Sequence, residues 1–222
     1  LPVVDGEERL VGIVTVDDAI DVIQEEATED IEKMAAMAPS DKPYMKTSIL
    51  DTWKKRVPWL LFLMISATFT SSIINSFEDA LAASVVLTGF IPMLMDTGGN
   101  SGSQSSITII RGLSLGEIRY GDVPRILLKE GSVALMCGCT LDVANFIKLM
   151  LIDRVTLLVA GVVCLTLLMV VLVANVVGST LPILAKRLGF DPTVMASPLI
   201  TTIVDAVSLV IYFNIAKAVL RI

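Results

Sequence analysis

The sequence contains no histidine and only three cysteines, which narrows the chemistry open to it. Without histidine, the chain lacks the commonest ligand of zinc and copper sites. Cys137, Cys139 and Cys164 lie inside hydrophobic segments and form no C-x-x-C pair. We therefore expect them to be small buried side chains without a redox or metal role. The net charge of −6 comes from an acidic N-terminal region, so nucleic acid is not an expected partner.

Apolar residues dominate the sequence and are clustered. They make up 54% of the chain, and the mean hydropathy is +0.77. The stretches Val57–Phe77 and Val155–Ala185 contain no charged residue. About 20 apolar residues are enough to cross a hydrocarbon core about 30 Å thick. The sequence therefore predicts an all-α polytopic membrane protein.

Hydropathy predicts five transmembrane helices per subunit. The third predicted span has the weakest hydropathy pattern, because Lys129, Glu130 and Asp142 interrupt its apolar run. Lys and Arg are more frequent in the connections on the N-terminal side of the membrane, which predicts a cytoplasmic N-terminus and an extracytoplasmic C-terminus. The predicted spans are Pro58–Phe77, Ala80–Ile110, Val123–Ile147, Thr156–Leu184 and Thr193–Val219.

The first 46 residues have the composition of a soluble segment. Two alternating apolar runs, Leu1–Val4 and Leu10–Val14, flank an Asp-Gly turn and predict a hairpin. Thr15 or Asp17 is the expected cap of an amphipathic, densely acidic helix that continues until Pro39. Three short elements cannot bury a core. We expect them to be the end of a larger domain, with its upstream part missing.

Asp205 is an acid near the middle of the fifth predicted span. An ionised carboxylate at the bilayer centre costs roughly 2.5–3.5 kcal/mol on the insertion scale, so it needs a reason. The surrounding stretch SPLITTIVDAVSLVIYF contains no Lys or Arg. Ser197, Thr201 and Asp205 recur at i, i+4 and i+8 and share one helical face. This polar face suits a water-filled cation path; the alternative is a protonated carboxyl hydrogen-bonded between helices.

A second polar face lies in the stretch PMLMDTGGNSGSQSS, where Asp96, Asn100 and Gln104 have the same spacing. We expect Gly98 and Gly99 to weaken the helix and free backbone carbonyls beside a cavity. Carbonyl, carboxamide and carboxylate oxygens suit Mg²⁺ or Ca²⁺. The alternative is a packing face of small residues, and the two interpretations are compatible. Asp142 either lines a cavity together with Asn145 or packs near the outer surface.

The order of motifs resembles the MgtE-type magnesium channels over nearly the whole chain. The resemblance rests on PMLMDTGGNSGSQSSITIIRGLSLGEI, ANVVGSTLPILAKRLGFDP and SPLITTIVDAVSLVIYF, which follow VDDAIDVIQEEATEDIEKM in one chain. It implies a C-terminal CBS-domain remnant at residues 1–23, a long acidic connecting or plug helix with its linker at 24–56, and a five-span pore domain at 57–222.

The resemblance also implies a homodimer in a cell (plasma or inner) membrane, with a pore on its two-fold axis. Two symmetry-related carboxylates can hold Mg²⁺ through its water shell, because this ion dehydrates reluctantly. By resemblance, Asp205 is the pore carboxylate, Thr201 lies one turn away and Asn100 lines the path. Asp96 is added to the expected pore residues because it shares the helical face of Asn100. The expected function is import of divalent cations, with membrane lipid as a further partner and no protein substrate.

The resemblance also implies regulation by intracellular Mg²⁺ at the acidic helix; without the resemblance, an ordinary solvated acidic face would be the preferred interpretation. Its carboxylates repel one another until divalent cations screen them, so high Mg²⁺ should draw the cytosolic elements together and close the pore. The motif GIVTVDD also fits the pattern with which CBS domains hold a nucleotide such as ATP, at Gly12, Thr15 and Asp18. The regulatory positions implied by the resemblance are Asp18, Asp21, Glu26, Glu29 and Asp30.

Several alternatives remain open. Asp96 and Asp205 could couple protons in a secondary carrier, or form the dyad of an intramembrane aspartyl protease, since Asp96–Gly98 reads DTG. That motif is short and occurs only once, so we expect no enzyme. A Mg²⁺ sensor that does not conduct is a further alternative. Without the family's N-terminal domains, we expect the chain to conduct without normal Mg²⁺ gating.

Overall fold

A computed structural model describes residues 1–40, 42–78 and 85–221. The chain begins with an antiparallel hairpin of β1 (Pro2–Val4) and β2 (Leu10–Ile13). In the turn, one carboxylate oxygen of Asp5 accepts hydrogen bonds from the backbone N–H groups of Glu7 and Arg9, at 2.8 and 2.9 Å. The predicted hairpin is therefore present, and its residues are almost all exposed.

Helix α1 (Val16–Met34) carries the acidic sequence. Thr15 caps it through a capping box with Asp18, in which each side chain bonds the backbone N–H of the other residue. The helix ends earlier than predicted, before it reaches Pro39. Ala36 has a left-handed backbone (φ 53°), and the N–H of Met37 bonds back to the carbonyl of Glu32. The predicted domain boundary at residues 23 and 24 falls inside this continuous helix.

Helix α2 (Ile49–Ser76) contains the first predicted span. It begins nine residues before the predicted span (58 − 49), since the Ser48 hydroxyl accepts a hydrogen bond from Asp51 N–H and caps an earlier turn. The predicted domain boundary at residues 56 and 57 therefore also lies within a helix. None of its residues is buried, although it contacts the last helix of the fold.

The membrane domain continues with α3 (Ile91–Ser114), α4 (Val123–Lys148), α5 (Leu157–Arg187) and α6 (Ser197–Leu220). The bounds of α4, α5 and α6 agree with the third, fourth and fifth predicted spans to within four residues. The second prediction, Ala80–Ile110, begins at positions outside the described residues. It then covers a 3₁₀ segment, Val85–Phe90, and most of α3.

Four helical segments among the described residues are long and apolar enough to cross a membrane. Helix α3 is not one of them, because the polar stretch from Asp96 to Ser106 lowers its hydropathy. The structure is therefore that of an all-α, multi-pass membrane protein. The four segments are Ile49–Ser76, Tyr120–Asp153, Leu157–Arg187 and Ser197–Leu220.

Helix α5 is the centre of the domain and packs against α3, α4 and α6. It has no charged residue before its last turn, and fourteen of its residues are buried, as expected of a helix surrounded by other helices. The main core also includes Tyr212 on α6, whose hydroxyl donates to the carbonyl of Leu87 at 2.9 Å. This bond attaches the 3₁₀ segment to α6.

Glycines allow α3 to approach its neighbours closely. A Cβ added to Gly102 would lie 3.0 Å from the carbonyl oxygen of Ala174 on α5, and one added to Gly98 would lie 2.5 Å from a Val170 methyl group. Helix α3 is nevertheless continuous through Gly98 and Gly99, which are both buried. The predicted weakening of the helix is wrong, because the space that the missing side chains leave is filled by close helix packing.

The predicted burial of the cysteines is also wrong for two of them. Cys137 and Cys139 lie on the exposed surface of α4, and Cys164 on α5 is partly buried. The apolar residues around them include exposed ones such as Met136 and Val143 as well as buried ones, so hydrophobic neighbours do not predict burial on this helix.

Candidate metal-transport site

The predicted polar face of α3 is present and exposed. Asp96, Asn100 and Gln104 lie in a line along the helix, and all three are exposed in the single chain. The opposite side of the same turns carries the buried glycines that pack on α5 and α6. Packing of the small residues therefore orients the three polar side chains away from the core.

The second polar face lies on α6. Ser197, Thr201 and Asp205 share it and are each partly exposed. The hydroxyl of Thr201 donates to the carbonyl of Pro198 at 3.0 Å, so its oxygen keeps its acceptor capacity toward a bound group. A hydrated cation needs such acceptors.

The two polar faces meet along the α3–α6 contact. A Cβ added to Gly99 would lie 3.0 Å from a Thr201 methyl carbon, so the absence of a side chain there lets the helices touch. The hydroxyl oxygens of Ser103 and Ser197 are 3.1 Å apart. Asp96 and Asp205 lie on α3 and α6, the two helices that this contact joins. The structure thus brings together residues that are about 100 positions apart in the sequence.

An open groove of about 590 Å³ runs beside this contact, between α3 and α4. Asp96, Asn100 and Gln104 form its polar wall, and α4 supplies a mostly apolar wall that includes Cys137. Neither Thr201 nor Asp205 lines it. The predicted site residues therefore occupy two adjoining surfaces of one chain.

The charges of the site are unbalanced within one chain. Four ion pairs occur among the described residues, and none includes Asp96 or Asp205. Residues 1–40, 42–78 and 85–221 also contain no group of three or more His, Cys, Asp or Glu that could hold a metal ion. A single chain therefore presents oxygen donors and negative charge on an exposed surface, without a complete coordination shell.

Buried polar side chains of α4 and α5 form hydrogen bonds with serines of α3. This network was missed by the sequence analysis. Glu130 on α4 is 9% exposed and accepts a hydrogen bond from the Ser105 hydroxyl at 2.7 Å. Asn175 on α5 donates to the hydroxyl of Ser101 at 2.6 Å. In the sequence, Glu130 stands out only as an interruption of the third predicted span. A glutamate surrounded by apolar residues nevertheless indicates that a polar partner lies opposite it.

The predicted regulatory positions all lie on α1. Asp21 and Glu26 are exposed, and together with the partly buried Glu29 they line an open groove of about 450 Å³. Asp18 lies in the first turn, and Asp30 is partly buried. Burial and the nearby negative charge of Asp191 raise the pKa of Asp30. Within the described part of the chain these carboxylates form no closed metal site.

An ion pair joins α1 to the membrane domain. Lys33 Nζ lies 2.6 Å from a carboxylate oxygen of Asp191 and 2.5 Å from one of Glu29. Hydrogen bonds to Asp191 and Glu29 raise the pKa of Lys33. Burial opposes ionisation of Asp191, but the hydrogen bonds from Lys33 and Thr193 outweigh it and lower the pKa of Asp191.

Asp191 precedes the 3₁₀ turn Pro192–Met195, which leads directly into α6. The ion pair with Lys33 therefore links the acidic helix to the helix that carries Thr201 and Asp205. Sequence reasoning overlooked both residues of the pair. The signal was available, because Lys33 is the single basic residue in an otherwise acidic α1.

The positions predicted to bind a nucleotide lie at the start of α1. Gly12 pairs with Val3 in the hairpin. The hydroxyl of Thr15 donates to one carboxylate oxygen of Asp18 at 2.7 Å, and this hydrogen bond lowers the pKa of Asp18. Thr15 and Asp18 thus have a structural role as a helix cap.

Comparison with known proteins places these observations in a family context. The sequence profile of the MgtE family, described as "Divalent cation transporter", matches residues 91–215, more than half of the chain. The chain is 42% identical over 221 residues to "Magnesium transporter MgtE" of Thermus thermophilus. It is 38% identical over 218 residues to the protein of the same name from Bacillus subtilis.

A third relative, "Magnesium transporter MgtE" of Enterococcus faecalis, is 35% identical over 221 residues. The three alignments cover 98–100% of this chain and 48–49% of the relatives. The chain therefore spans about half the length of the curated relatives that it matches.

Proposed function

Because this chain belongs to the MgtE family of divalent cation transporters, we propose that it carries Mg²⁺ across the membrane through a pore formed by two copies of its membrane domain. The relatives bearing the name magnesium transporter support Mg²⁺ as the substrate. We propose a transport function and no enzymatic one.

The observation that carries this proposal is the meeting of two polar faces on α3 and α6. Each face leaves oxygen-bearing side chains exposed in a domain whose surface is otherwise largely apolar. Exposing such groups to lipid is unfavourable, so they need water or another polar surface. A hydrated ion path between two subunits satisfies that need.

A homodimer would complete the coordination that one chain lacks. In an isologous dimer, each residue near the two-fold axis lies opposite its own copy. Two Asp205 carboxylates could then bind Mg²⁺ through its water shell, with Thr201 one turn away. Asn100 and Asp96 would line the adjoining part of the path.

A dimer would also allow the polar helix α3 to lie within the membrane. We propose that α3 is a fifth membrane-crossing helix, whose polar residues face the pore and whose glycines face α5 and α6. An odd number of crossings places the two ends of the chain on opposite sides. The distribution of Lys and Arg supports a cytoplasmic N-terminus and an extracytoplasmic C-terminus. We propose a plasma or inner membrane as the location.

Intracellular Mg²⁺ is proposed to regulate the pore through α1. This helix presents Asp21, Glu26 and Glu29 to an open groove, and the Lys33–Asp191 ion pair attaches it to the turn before α6. Cations bound among these carboxylates would change the position of α1 and, through that attachment, of α6. Residues 1–23 are proposed to end a CBS domain, with the connecting helix and its linker in 24–56.

ATP is a further proposed ligand, at Gly12, Thr15 and Asp18. The capping hydrogen bonds occupy one carboxylate oxygen of Asp18, which leaves the other as an acceptor for a ribose hydroxyl. Equilibrium dialysis with ATP, compared between the unchanged chain and its Asp18→Asn variant, tests this part separately.

Mg²⁺ flux into liposomes tests the main proposal. The unchanged chain should admit Mg²⁺ without an imposed pH gradient, and Asp205→Asn should abolish that flux. Glu117→Gln neutralises an exposed acid in the α3–α4 connection and is the matched control for loss of charge.

The adjacent threonines of α6 supply a sharper comparison. Thr201 and Thr202 both donate to the carbonyl of Pro198 at 3.0 Å, but it is the Thr201 methyl group that lies against Gly99, on the helix that carries Asp96 and Asn100. Thr201→Val should lower the flux and Thr202→Val should not. Undiminished flux through Asp205→Asn would contradict the proposed pore, and flux that requires a pH gradient would favour a proton-coupled carrier.

A further inference from the structure

Two neighbouring side chains on α4 have buried atoms that nothing in the described structure satisfies. They are Oδ1 of Asp142 and both amide atoms of Asn145, which is 7% exposed. Leaving a buried polar group without a partner costs about 1–3 kcal/mol, and native structures rarely contain such a group without an explanation. Three of these atoms within one turn of a helix indicate that something polar occupies the space between them.

The facing helix α5 contributes a thiol to the same place. Cys164 Sγ lies 3.9 Å from the backbone carbonyl oxygen of Asp142. The contacted residue, Asp142, also carries the unsatisfied carboxylate oxygen, and Asn145 with its unsatisfied amide lies one turn further along α4. A carboxylate, a carboxamide and a thiol therefore converge at the α4–α5 interface.

The position of this cluster separates it from the groove beside α3. Gly138, Asp142 and Asn145 form the stripe of α4 that faces α5, where a Cβ on Gly138 would lie 2.6 Å from a Leu168 methyl group. Cys137 and Leu141 belong to the groove wall. The cluster thus lies on a different side of α4 from Asp96 and Asn100.

We propose that Asp142, Asn145 and Cys164 bind a divalent cation of the sulfur-tolerant class, such as Zn²⁺ or Cd²⁺. Asp142 takes part in none of the ion pairs among the described residues, so a cation would balance its charge. A thiolate selects Zn²⁺ or a softer ion over Mg²⁺, which prefers oxygen ligands. The partial exposure of Asp142 gives the ion a route and leaves room for water as a further ligand.

Cation binding at this site has a defined proton balance. The S–H bond of Cys164 breaks, a bond between sulfur and the metal forms, and the proton passes to the solvent. Neither an oxidant nor a reductant is required. The same step makes the site observable, because a thiolate bound to Cd²⁺ absorbs ultraviolet light through charge transfer from sulfur to the metal.

Cd²⁺ titration of the purified chain in detergent tests the proposal. The charge-transfer band should rise to one Cd²⁺ per chain and persist in a large excess of Mg²⁺. Cys164→Ser should remove the band. The double variant Cys137→Ser/Cys139→Ser should keep it, which distinguishes this thiol from the exposed ones. Asp142→Asn should weaken Cd²⁺ binding on the order of tenfold or more.

Three results would overturn the proposal. The first is that the unchanged chain shows no charge-transfer band. The second is that the band survives in Cys164→Ser, and the third is that Asp142→Asn binds Cd²⁺ with unchanged affinity. Absence of the band in the unchanged chain would mean that water alone occupies the space between Asp142, Asn145 and Cys164. If Cys164→Ser does not fold, as judged by circular dichroism, Cys164→Ala replaces it, and the Asp142→Asn affinity supplies an independent decision.

Discussion

The contact between α3 and α5 depends on Gly178, and its replacement by alanine tests the packing directly. A Cβ at this position would lie 2.2 Å from the carbonyl oxygen of Gly102 and 2.9 Å from its carbonyl carbon. Cβ atoms are essentially never found closer than 3.0 Å to such an atom. The helices must therefore separate locally by at least 3.0 − 2.2 = 0.8 Å.

No side-chain rotation relieves this overlap, since the obstacle is backbone. Overpacking of a close-packed interior costs about 1–3 kcal/mol. For a chain of this size, each kcal/mol lowers the midpoint of thermal unfolding by about 2–4 °C. Gly178→Ala should therefore unfold about 2–12 °C below the unchanged chain. Its Mg²⁺ flux should also fall, because α3 carries Asp96 and Asn100.

Thermal unfolding in detergent, followed by circular dichroism, measures the effect. Gly161→Ala is the matched control, because Gly161 lies on the same helix and a Cβ there meets nothing within 4 Å. That variant should unfold at the same temperature or slightly higher, since alanine favours a helix over glycine by about 1 kcal/mol. Equal midpoints for the two variants would refute the described contact between α3 and α5.

Three further predictions concern single polar contacts. Tyr212→Phe should lower the free energy of unfolding by about 1–2 kcal/mol, because it leaves a buried carbonyl without its donor, whereas Tyr120→Phe at an exposed site should not. Asp191→Asn should speed hydrogen exchange in the turn before α6 by breaking the ion pair with Lys33, a partly exposed contact of about 1 kcal/mol or less. The pKa of Asp191 in the folded chain is lower than the 3.8 of an unperturbed aspartate. The stabilisation is therefore fully present above pH 3.8 and is lost as the pH falls through the folded-state pKa. Asp30→Asn should slow the same exchange, because it removes a charge that repels Asp191.

Each of these predictions has an outcome that contradicts it. Equal stability losses in the two tyrosine variants would mean that the hydroxyl of Tyr212 contributes no hydrogen bond. An acid-induced increase in exchange that persists in Asp191→Asn would assign the effect to other carboxylates of α1. Faster exchange in Asp30→Asn would show that Asp30 supports the attachment of α1.

Helix positions were predictable because the membrane imposes a simple rule. The backbone must satisfy its own hydrogen bonds in lipid, so an uncharged apolar run of sufficient length has to be a helix. Val155–Ala185 meets this condition, and the structure places α5 there. The end of α1 was predicted less well, because a left-handed alanine ended it where sequence patterns favour glycine.

The role of the glycines in α3 could not be read from their spacing. Glycine lowers helix propensity, but the same residue permits close contact when another helix lies beside it. Only the positions of α5 and α6 decided between these effects at Gly98 and Gly99. The partners of Glu130 and Lys33 were equally inaccessible, because each lies on an element distant in sequence.

The sequence by itself determined the membrane class, the hairpin, the extents of α4, α5 and α6, and the two polar faces. These properties depend on local composition and on a helical period of about 3.6 residues. The tertiary structure decided that the faces on α3 and α6 adjoin, that Lys33 reaches Asp191, and that Cys164 meets Asp142 and Asn145. Those contacts depend on how helices pack, which is set by the shapes of all the side chains between them and not by any one segment.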